Sequence, residues 1–362
     1  MNRIYKIKKV RKFFGKHRYK FRNFYVFSVI IASIFPILAF SFNSLNGGSM
    51  SLMTFGSNIS GSENVETYNI SDDLEYNGVE LFGEYPLSDE EIPENSYKVL
   101  KTTLKASSWM NQFGVVAVNN EGGKSFDIEE LLSEKSEINV DKTKEYQVLI
   151  VHTHGTESYN DYGVDYYNNE MSFRSDDNNE NMIHIGNVLT AMLEDAGYGV
   201  IHDKTQHDNP DYNNSYSSSR SSIEYYLEKY PDIEIVLDIH RDTVITSSKT
   251  KYRTVTEING ETASQIMILL GSGSEEYPND HWEENLKFSL MIQKTANEKY
   301  PNLMRPILLR NYLYNQDITP GSILVEVGTC GNTSEEAERG IRYFGECLIE
   351  VLDAINNDEV LN

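Results

Sequence analysis

The segment Tyr146-Gln-Val-Leu-Ile-Val-His-Thr-His-Gly-Thr-Glu-Ser-Tyr159 decides the fold and carries the first candidate site residues. Its first six residues form a short apolar run of the kind found in buried strands. His152, His154 and Glu157 follow at once, so they would lie at the carboxyl end of that strand. Ligands bind beyond the carboxyl ends of strands in sheets that alternate with helices. The segment therefore predicts a strand that leads into a functional site.

Strand and helix signals continue to alternate from this segment towards the C-terminus. The helical spacing from Ile183 to Ala196 ends before Gly197, a residue type that commonly follows a helix. This alternation predicts an α/β catalytic domain over residues 144–362, with a mixed, mainly parallel sheet and helices on both faces. The remaining predicted strands are Tyr198–Ile201, Ile233–Ile239, Ile266–Leu270 and Ile323–Val327, and the remaining helices are Ser221–Lys229, Trp282–Tyr300 and Ser334–Ala354.

Two further predicted strands carry polar residues at or near their carboxyl ends. The first leads into His240-Arg241-Asp242, and the second contains Glu326 between two valines. If these strands are adjacent and parallel, His154, Glu157, His240 and Glu326 meet at one edge of the sheet.

This set of residues is what a catalytic zinc site (Zn2+) requires. Three His or Glu ligands hold the ion and leave a position for water, and a further carboxylate moves the proton. We expect His154, Glu157 and His240 as metal ligands and Glu326 as general base, with its pKa raised by burial. The alternative interpretation of each histidine is a surface residue or a hydrogen-bonded core residue.

Other reactive residues give weaker signals. Arg241 is a candidate to hold a substrate carboxylate, and a salt bridge with Asp242 is the alternative. The chain has no Gly-x-Ser-x-Gly motif, which disfavours a serine hydrolase. The two cysteines, Cys330 and Cys347, are too few for a disulfide scaffold.

The charge of the chain is divided sharply along its length. The net charge of −23 disfavours a nucleic-acid partner. Residues 1–22 carry 10 of the 32 Lys and Arg and no acid, so the rest, with 22 basic and 55 acidic residues, carries −33. The uncharged residues 24–42 would span about 28 Å as a helix, close to the thickness of a bilayer core.

This pattern predicts a cytosolic basic segment at residues 1–23 and a single transmembrane anchor at residues 24–42, with the remainder outside the cell membrane. A cleaved signal peptide is the alternative. Residues 43–143 are expected to form an extracytoplasmic tether and juxtamembrane region. Within it, a weak amphipathic pattern between Tyr97 and Leu132 predicts a small helical segment.

Four motifs in order give the chain a family resemblance. They are His152–Tyr159, His202–Tyr216, Asp238–Asp242 and Ile323–Thr329, and together they resemble the stage II sporulation protein P family over roughly residues 140–355. The resemblance implies a peptidoglycan hydrolase of endospore engulfment, acting between the two sporangial membranes as an N-acetylmuramoyl-L-alanine amidase and endopeptidase. It also implies two partners, a lytic transglycosylase (stage II sporulation protein D) and a membrane scaffold (stage II sporulation protein M).

The wider group of zinc amidases has a similar layout. His154, His240 and Glu326 match its pattern, but its second ligand lies just before the first long helix, where this chain has Glu180. We expect Glu157 to be the ligand and keep Glu180 as the alternative. The alternative function is a non-catalytic wall-binding scaffold that recruits other peptidoglycan hydrolases.

Overall fold

The computed structural model describes residues 92–359 and, before them, three short strands: β1 (Tyr68–Ile70), β2 (Glu75–Tyr76) and β3 (Val79–Phe82). The predicted cytosolic segment 1–23 and the predicted anchor 24–42 lie outside the described residues. Within the described part of the chain, no helix combines the length and the apolar character needed to cross a membrane.

The main sheet confirms the predicted mixed, mainly parallel architecture. Two of its strand pairings, at one edge and near the middle, are antiparallel, and the other pairings are parallel. Its eight described strands lie in the spatial order β5 (Asn111–Phe113), β6 (Val116–Asn120), β15 (Ile307–Arg310), β14 (Ile266–Gly271), β16 (Ser322–Thr329), β10 (Ile235–Asp242), β7 (Val148–Val151) and β9 (Val200–His202).

Helices cover both faces of this sheet, as predicted. Side chains alternate between the two faces of a strand. In β7, Val148 and Ile150 pack into a core that three long helices share, whereas Leu149 and Val151 pack against Ile223 on the opposite face. The three helices are α2 (Met182–Asp195), α4 (Trp282–Lys299) and α5 (Ser334–Asn356), with the short α1 (Ile128–Ser133) on the same side, and Ile223 belongs to α3 (Ser215–Lys229).

Two helix ends follow their sequence signals, whereas α3 begins at Ser215, six residues before its predicted start. The side chain of Thr333 accepts a hydrogen bond from the Glu336 backbone, and the Glu336 side chain accepts one from the Thr333 backbone, so both halves of a capping box form at the start of α5. Gly197 follows α2 with a φ of 90°, a left-handed conformation that glycine adopts without a Cβ clash.

A second described sheet does not follow from the sequence patterns. Its order is β1, β11 (Val244–Thr246), β12 (Lys251–Ile258), β4 (Tyr97–Ala106), β3 and β2, with β13 (Glu261–Ser264) paired to β12 and β8 (Tyr166–Tyr167) paired to β4. The predicted helical segment between Tyr97 and Leu132 is therefore wrong over β4, β5 and β6. Its apolar residues do not share a buried face, because Leu104 is buried while Trp109 is 58% exposed.

The main sheet also extends across the predicted domain boundary at residue 144. Strand β6 pairs in parallel with β15, with Val118 opposite Ile307 and Asn119 opposite Leu308. The two cysteines are free and lie in different cores, Cys330 beside the second sheet and Cys347 on α5.

Candidate active site

The candidate site lies on the sheet face that α3 covers only in part. Helix α3 packs over β7 and β10. Beyond β10, the same face of β16, β14 and β15 forms the floor of a cleft. The register places Leu324 opposite Leu269 and Leu269 opposite Leu308, so an apolar row of three leucines crosses this floor, with Asn119 opposite Leu308 at its end. The cleft is thus the open half of a sheet face.

The four residues predicted to converge all line this cleft. His240 on β10 lies directly opposite Glu326 on β16, because the two strands are parallel neighbours. His154 and Glu157 follow the end of β7, the other neighbour of β10. The rings of His154 and His240 are 5.3 Å apart between centroids and nearly perpendicular, and His240 Nδ1 lies 3.6 Å from Glu157 Oε2.

Glu157 is a buried carboxylate held by cationic neighbours. Its Oε2 accepts a hydrogen bond from the Arg241 backbone N–H at 3.2 Å, and its Oε1 lies 3.4 Å from Arg241 Nη1 and 4.0 Å from Arg174 Nη2. Burial alone would raise the pKa of Glu157, but Arg241 and His240 outweigh it and hold the pKa well below its usual range. Glu157 is therefore ionised in the folded protein.

Arg241 is the main counter-ion of Glu157. It is buried, and its guanidinium donates to the carbonyl oxygens of Ser158 at 3.1 Å and Phe173 at 2.9 Å and to Thr243 Oγ1 at 2.9 Å. A substrate carboxylate would have to compete with these acceptors. Arg241 does line the cleft, so its predicted contact with substrate stays a prediction.

The alternative salt bridge between Arg241 and Asp242 is wrong. The guanidinium of Arg241 contacts Glu157, and no ion pair joins Arg241 to Asp242 among the described residues. Asp242 instead pairs with Arg305, whose Nη1 lies 2.8 Å from Asp242 Oδ2. Arg305 is buried at the start of the segment leading into β15 and also lines the cleft.

Asp238 supports His240 from below. The carboxylate Oδ1 lies 2.9 Å from His240 Nε2, yet that nitrogen forms no hydrogen bond within the described structure, so the contact is an ion pair. Burial would lower the pKa of His240, but Asp238 and Glu157 raise it well above its ordinary value. Asp238 is itself fixed by Thr153, which donates to it from its backbone N–H at 2.8 Å and its hydroxyl at 2.6 Å. With Nε2 of the His240 ring facing Asp238, the other ring nitrogen, Nδ1, faces Glu157.

His154 is neutral at physiological pH. Burial lowers its pKa to about 4. Its ring stacks on Tyr212 at 4.6 Å between centroids, with an angle of 8° between the planes. Among residues 92–359, its Nδ1 has no hydrogen-bond partner although it is buried. A neutral imidazole with a buried, unpartnered nitrogen is suited to bind a metal ion.

The pKa of Glu326 is shifted in the opposite direction to the pKa of Glu157. Its side chain is partly exposed, while Oε2 is buried and lacks a hydrogen-bond partner within the described residues. Burial, reinforced by the nearby Asp242 carboxylate, raises the pKa of Glu326 well above its usual range. A carboxyl group in this environment holds a proton more readily than an exposed one.

The alternative ligand Glu180 lies elsewhere in the described structure. It is exposed just before α2, and its Oε2 accepts a hydrogen bond from Ser175 Oγ at 2.9 Å. The geometry therefore favours Glu157 over Glu180. His152 is fully buried below the site, where its Nδ1 lies 3.0 Å from the Ile239 carbonyl and its Nε2 lies 2.8 Å from His202 Nε2.

Sequence reasoning missed the charged residues that brace the site. Asp238, Arg305 and Arg174 were not singled out, although Asp238 lies two residues before His240 on the same strand face. A buried acid within an apolar strand is the signal that could have found it, since such a charge needs a partner. Arg305 and Arg174 lie in irregular segments, where no periodicity points to the cleft.

The residues present fit a zinc ion in chemistry. His154 offers an unpartnered nitrogen, Glu157 offers a carboxylate oxygen close to His240 Nδ1, and Asp238 braces His240 as carboxylates commonly brace metal-binding histidines. In residues 92–359, however, no three His, Cys, Asp or Glu side chains already stand in the arrangement of a metal site. Ion pairs with Arg241 and Asp238 occupy Glu157 and His240 instead.

Comparison with known proteins identifies the family. Residues 65–349 match the family model of stage II sporulation protein P (SpoIIP). The chain belongs to this family. A curated relative, stage II sporulation protein P of Bacillus subtilis (strain 168), is 29% identical over 215 residues, which cover 56% of this chain and 50% of the relative. The match thus spans half the length of that relative.

Solved structures of amidases show a more distant similarity. The amidase AmiC2 of Nostoc punctiforme is 11% identical, with 58% of this chain and 98% of that chain covered and a TM-score of 0.35. The CwlD amidase of Clostridioides difficile, solved in complex with the GerS lipoprotein, is 13% identical, with the same coverage and TM-score. A TM-score of this size assigns neither fold nor activity to the chain.

Proposed function

We propose that this chain is a zinc-dependent peptidoglycan hydrolase of endospore engulfment. It cleaves the N-acetylmuramoyl-L-alanine amide bond and also acts as an endopeptidase on cross-linked stem peptides. The observation that carries the proposal is the convergence of His154, Glu157 and His240 with Glu326 in one cleft. Membership of the stage II sporulation protein P family supports it.

His154, Glu157 and His240 would hold the zinc ion. When bound, the ion supplies a Lewis acid that polarises an amide carbonyl and lowers the pKa of water. Asp238 keeps the His240 ring oriented from the opposite edge, and Arg241 fixes the Glu157 carboxylate through the backbone and side-chain contacts described above.

Glu326 moves the proton during hydrolysis. As a carboxylate it accepts a proton from the attacking water, whose oxygen forms the new bond to the carbonyl carbon. It then donates that proton to the amine of L-alanine as the carbon–nitrogen bond breaks. The raised pKa suits the proton-donating half of this role, because the buried carboxyl group holds a proton more readily than an exposed glutamate does.

The location and partners of the enzyme are part of the same proposal. We propose a single-pass anchor in residues 24–42, with the catalytic domain between the sporangial membranes. The basic segment followed by an uncharged run motivates the anchor. The sequence resemblance motivates the setting and a shared task with a lytic transglycosylase and a membrane scaffold. A fractionation experiment with antibody detection of the full-length chain tests the anchor, and release of the chain into the medium would contradict it.

The decisive experiment compares zinc content and stem-peptide release on purified peptidoglycan. Wild type should contain one zinc ion per chain and release stem peptides. Glu157→Ala should lose both properties, whereas the matched control Glu180→Ala should retain them. Activity that survives a chelator, or zinc loss on Glu180→Ala alone, would overturn the assignment. A wild-type chain that binds the wall without releasing peptides would favour the scaffold alternative.

A further inference from the structure

The loop after β15 holds a strained backbone beside the candidate site. Tyr314 and Asn315 both have positive φ values, of 48° and 57°. A bulky side chain rarely adopts this left-handed conformation, and such strain persists only where surrounding contacts impose it. The loop is therefore held in this shape by specific interactions.

Those interactions attach the loop to α3 and to the floor of the cleft. Asn315 Nδ2 donates to the Tyr216 carbonyl and to Ser219 Oγ, both at 3.0 Å, which fixes the loop to α3. Gln316 Nε2 donates to the Leu269 carbonyl at 2.9 Å, and Gln316 Oε1 accepts from the Gly271 N–H at 2.8 Å, which fixes it to β14. Both side chains are buried.

The clamped loop completes a row of aromatic rings that leads out of the site. The His154 ring lies 5.7 Å from the Tyr216 ring, Tyr216 lies 6.1 Å from Tyr314, and Tyr314 lies 5.7 Å from Tyr312, all between centroids. Tyr216 and Tyr314 line the cleft, and Tyr312 is 57% exposed. The row thus runs from a predicted metal ligand to open solvent.

We propose that Tyr216, Tyr314 and Tyr312 form a sugar-binding wall that seats the glycan part of the substrate. The assignment rests on the proposed function, in which the scissile amide joins a sugar to a peptide. Aromatic faces pack against the C–H faces of sugar rings, and the tyrosine hydroxyl keeps a polar contact with water or sugar hydroxyls. The spacing of the rings is close to the length of one sugar unit in a β-1,4-linked chain.

Charged side chains line the cleft together with the tyrosines. Stem peptides carry free carboxylates, and the cations that line the cleft are Arg174, Arg241, Arg305 and Arg310. Arg310 lies on the floor at the end of β15, two residues before Tyr312, and its Nε lies 2.8 Å from Glu121 Oε2. The tyrosine wall is uncharged, so it suits the uncharged hydroxyl and acetamido groups of the glycan better than an acidic peptide.

The test measures binding of a chitin hexamer, an uncharged β-1,4-linked N-acetylglucosamine chain, to the full-length protein by calorimetry. We expect Tyr312→Ala to raise the Kd about 5- to 10-fold, which corresponds to about 1–1.4 kcal/mol. Tyr312→Phe should bind as wild type does, because it keeps the ring. Tyr225→Ala is the matched control, since Tyr225 on α3 is 55% exposed and its ring contacts Tyr226 rather than the row of rings that starts at His154.

Kinetics on intact peptidoglycan supply the second readout. Tyr312→Ala should raise KM by a similar factor and leave kcat within about twofold, because the ring binds substrate without touching the reacting bond. The proposal is overturned if wild type shows no saturable hexamer binding, or if Tyr312→Ala and Tyr225→Ala bind the hexamer equally. Weakened binding of a free stem peptide by Tyr312→Ala, with hexamer binding intact, would assign the wall to the peptide instead.

The two proposals can fail separately. A chain that binds the hexamer through Tyr312 but releases no stem peptide keeps the sugar wall and loses the proposed hydrolase activity. A chain that releases stem peptides with an unchanged KM in Tyr312→Ala keeps the activity and loses the wall.

Discussion

Replacing Asp238 by Asn tests how the cleft prepares His240 for a metal ion. The substitution keeps the size of the side chain and an oxygen that can accept from the Thr153 N–H. It removes the charge that lies 2.9 Å from His240 Nε2. Because this contact is an ion pair without an aligned hydrogen bond, Asp238 acts on His240 mainly through its negative charge.

The size of the effect follows from that distance. Two unit charges at 2.9 Å attract by about 6 kcal/mol at an effective dielectric constant of about 20. Most of this is offset by the loss of hydration of two buried groups. The net loss on removing a carboxylate that supports a metal-binding histidine is about 10- to 100-fold in metal affinity, or about 1.4–2.7 kcal/mol. We expect Asp238→Asn to fall in this range.

The proton on His240 makes the effect depend on pH. The charge of Asp238 stabilises the protonated ring as well as the metal-bound ring, because it raises the pKa of His240. Zinc must displace that proton in wild type, which partly cancels the benefit at low pH. The loss of affinity in Asp238→Asn should therefore be larger at pH ~8.5 than at pH ~6.5.

The assay is a competition titration with a chromogenic zinc chelator, run on wild type and on two variants. Asp203→Asn is the matched control, because Asp203 is also a buried carboxylate in contact with a histidine, His207 at 3.2 Å. That pair does not line the cleft. Unchanged zinc affinity in Asp238→Asn, or an equal loss in Asp203→Asn, would refute the reasoning.

Three further predictions concern the same cleft. Glu326→Gln should lower the rate of stem-peptide release by about 10²- to 10⁴-fold with zinc content unchanged, which colorimetric release assays and elemental analysis would check. Zinc binding near pH ~7 should release about one proton, because His240 is protonated in the free protein while His154 has a pKa of about 4. Affinity should accordingly rise with pH, and calorimetry in buffers of different ionisation enthalpy would count the proton, with zero or two contradicting this. Gly186→Ala would bring a Cβ within 2.6 Å of the Nε2 atoms of His152 and His202, so chemical denaturation should show a loss of about 1–3 kcal/mol, and unchanged stability would contradict the tight packing.

The convergence of the site could be predicted because it follows from the parallel arrangement. Each of the strands β7, β10 and β16 begins as a short apolar run. Polar residues lie within the last residues of each strand or directly after it. Neighbouring parallel strands bring those ends to one edge without any need to know the loops. The choice between Glu157 and Glu180 could not be made in this way, because it depends on how the loop after β7 folds back.

The second sheet could not be predicted from local patterns. Strand β4 pairs with β12, so that Thr102 lies opposite Thr254. Its buried backbone is satisfied by a strand about 150 residues later in the chain, and no window of neighbouring residues contains that information. The ion pair between Asp242 and Arg305 could not be predicted for the same reason, since the two residues lie 63 positions apart in the sequence.

The charges of the cleft explain why Glu326 is the group suited to move a proton. Glu157 is paired with Arg241, Asp242 with Arg305, and Asp238 with His240, so each of these carboxylates has a charged partner. Glu326 lies among them with a buried oxygen that no group in residues 92–359 contacts by a hydrogen bond. A buried carboxyl group without its own counter-ion is unfavourable when charged, and such a cost is expected chiefly where it serves a function. The pairing of its neighbours therefore does two things at once: it fixes the residues expected to hold the metal ion, and it leaves Glu326 with the raised pKa that acid–base catalysis needs.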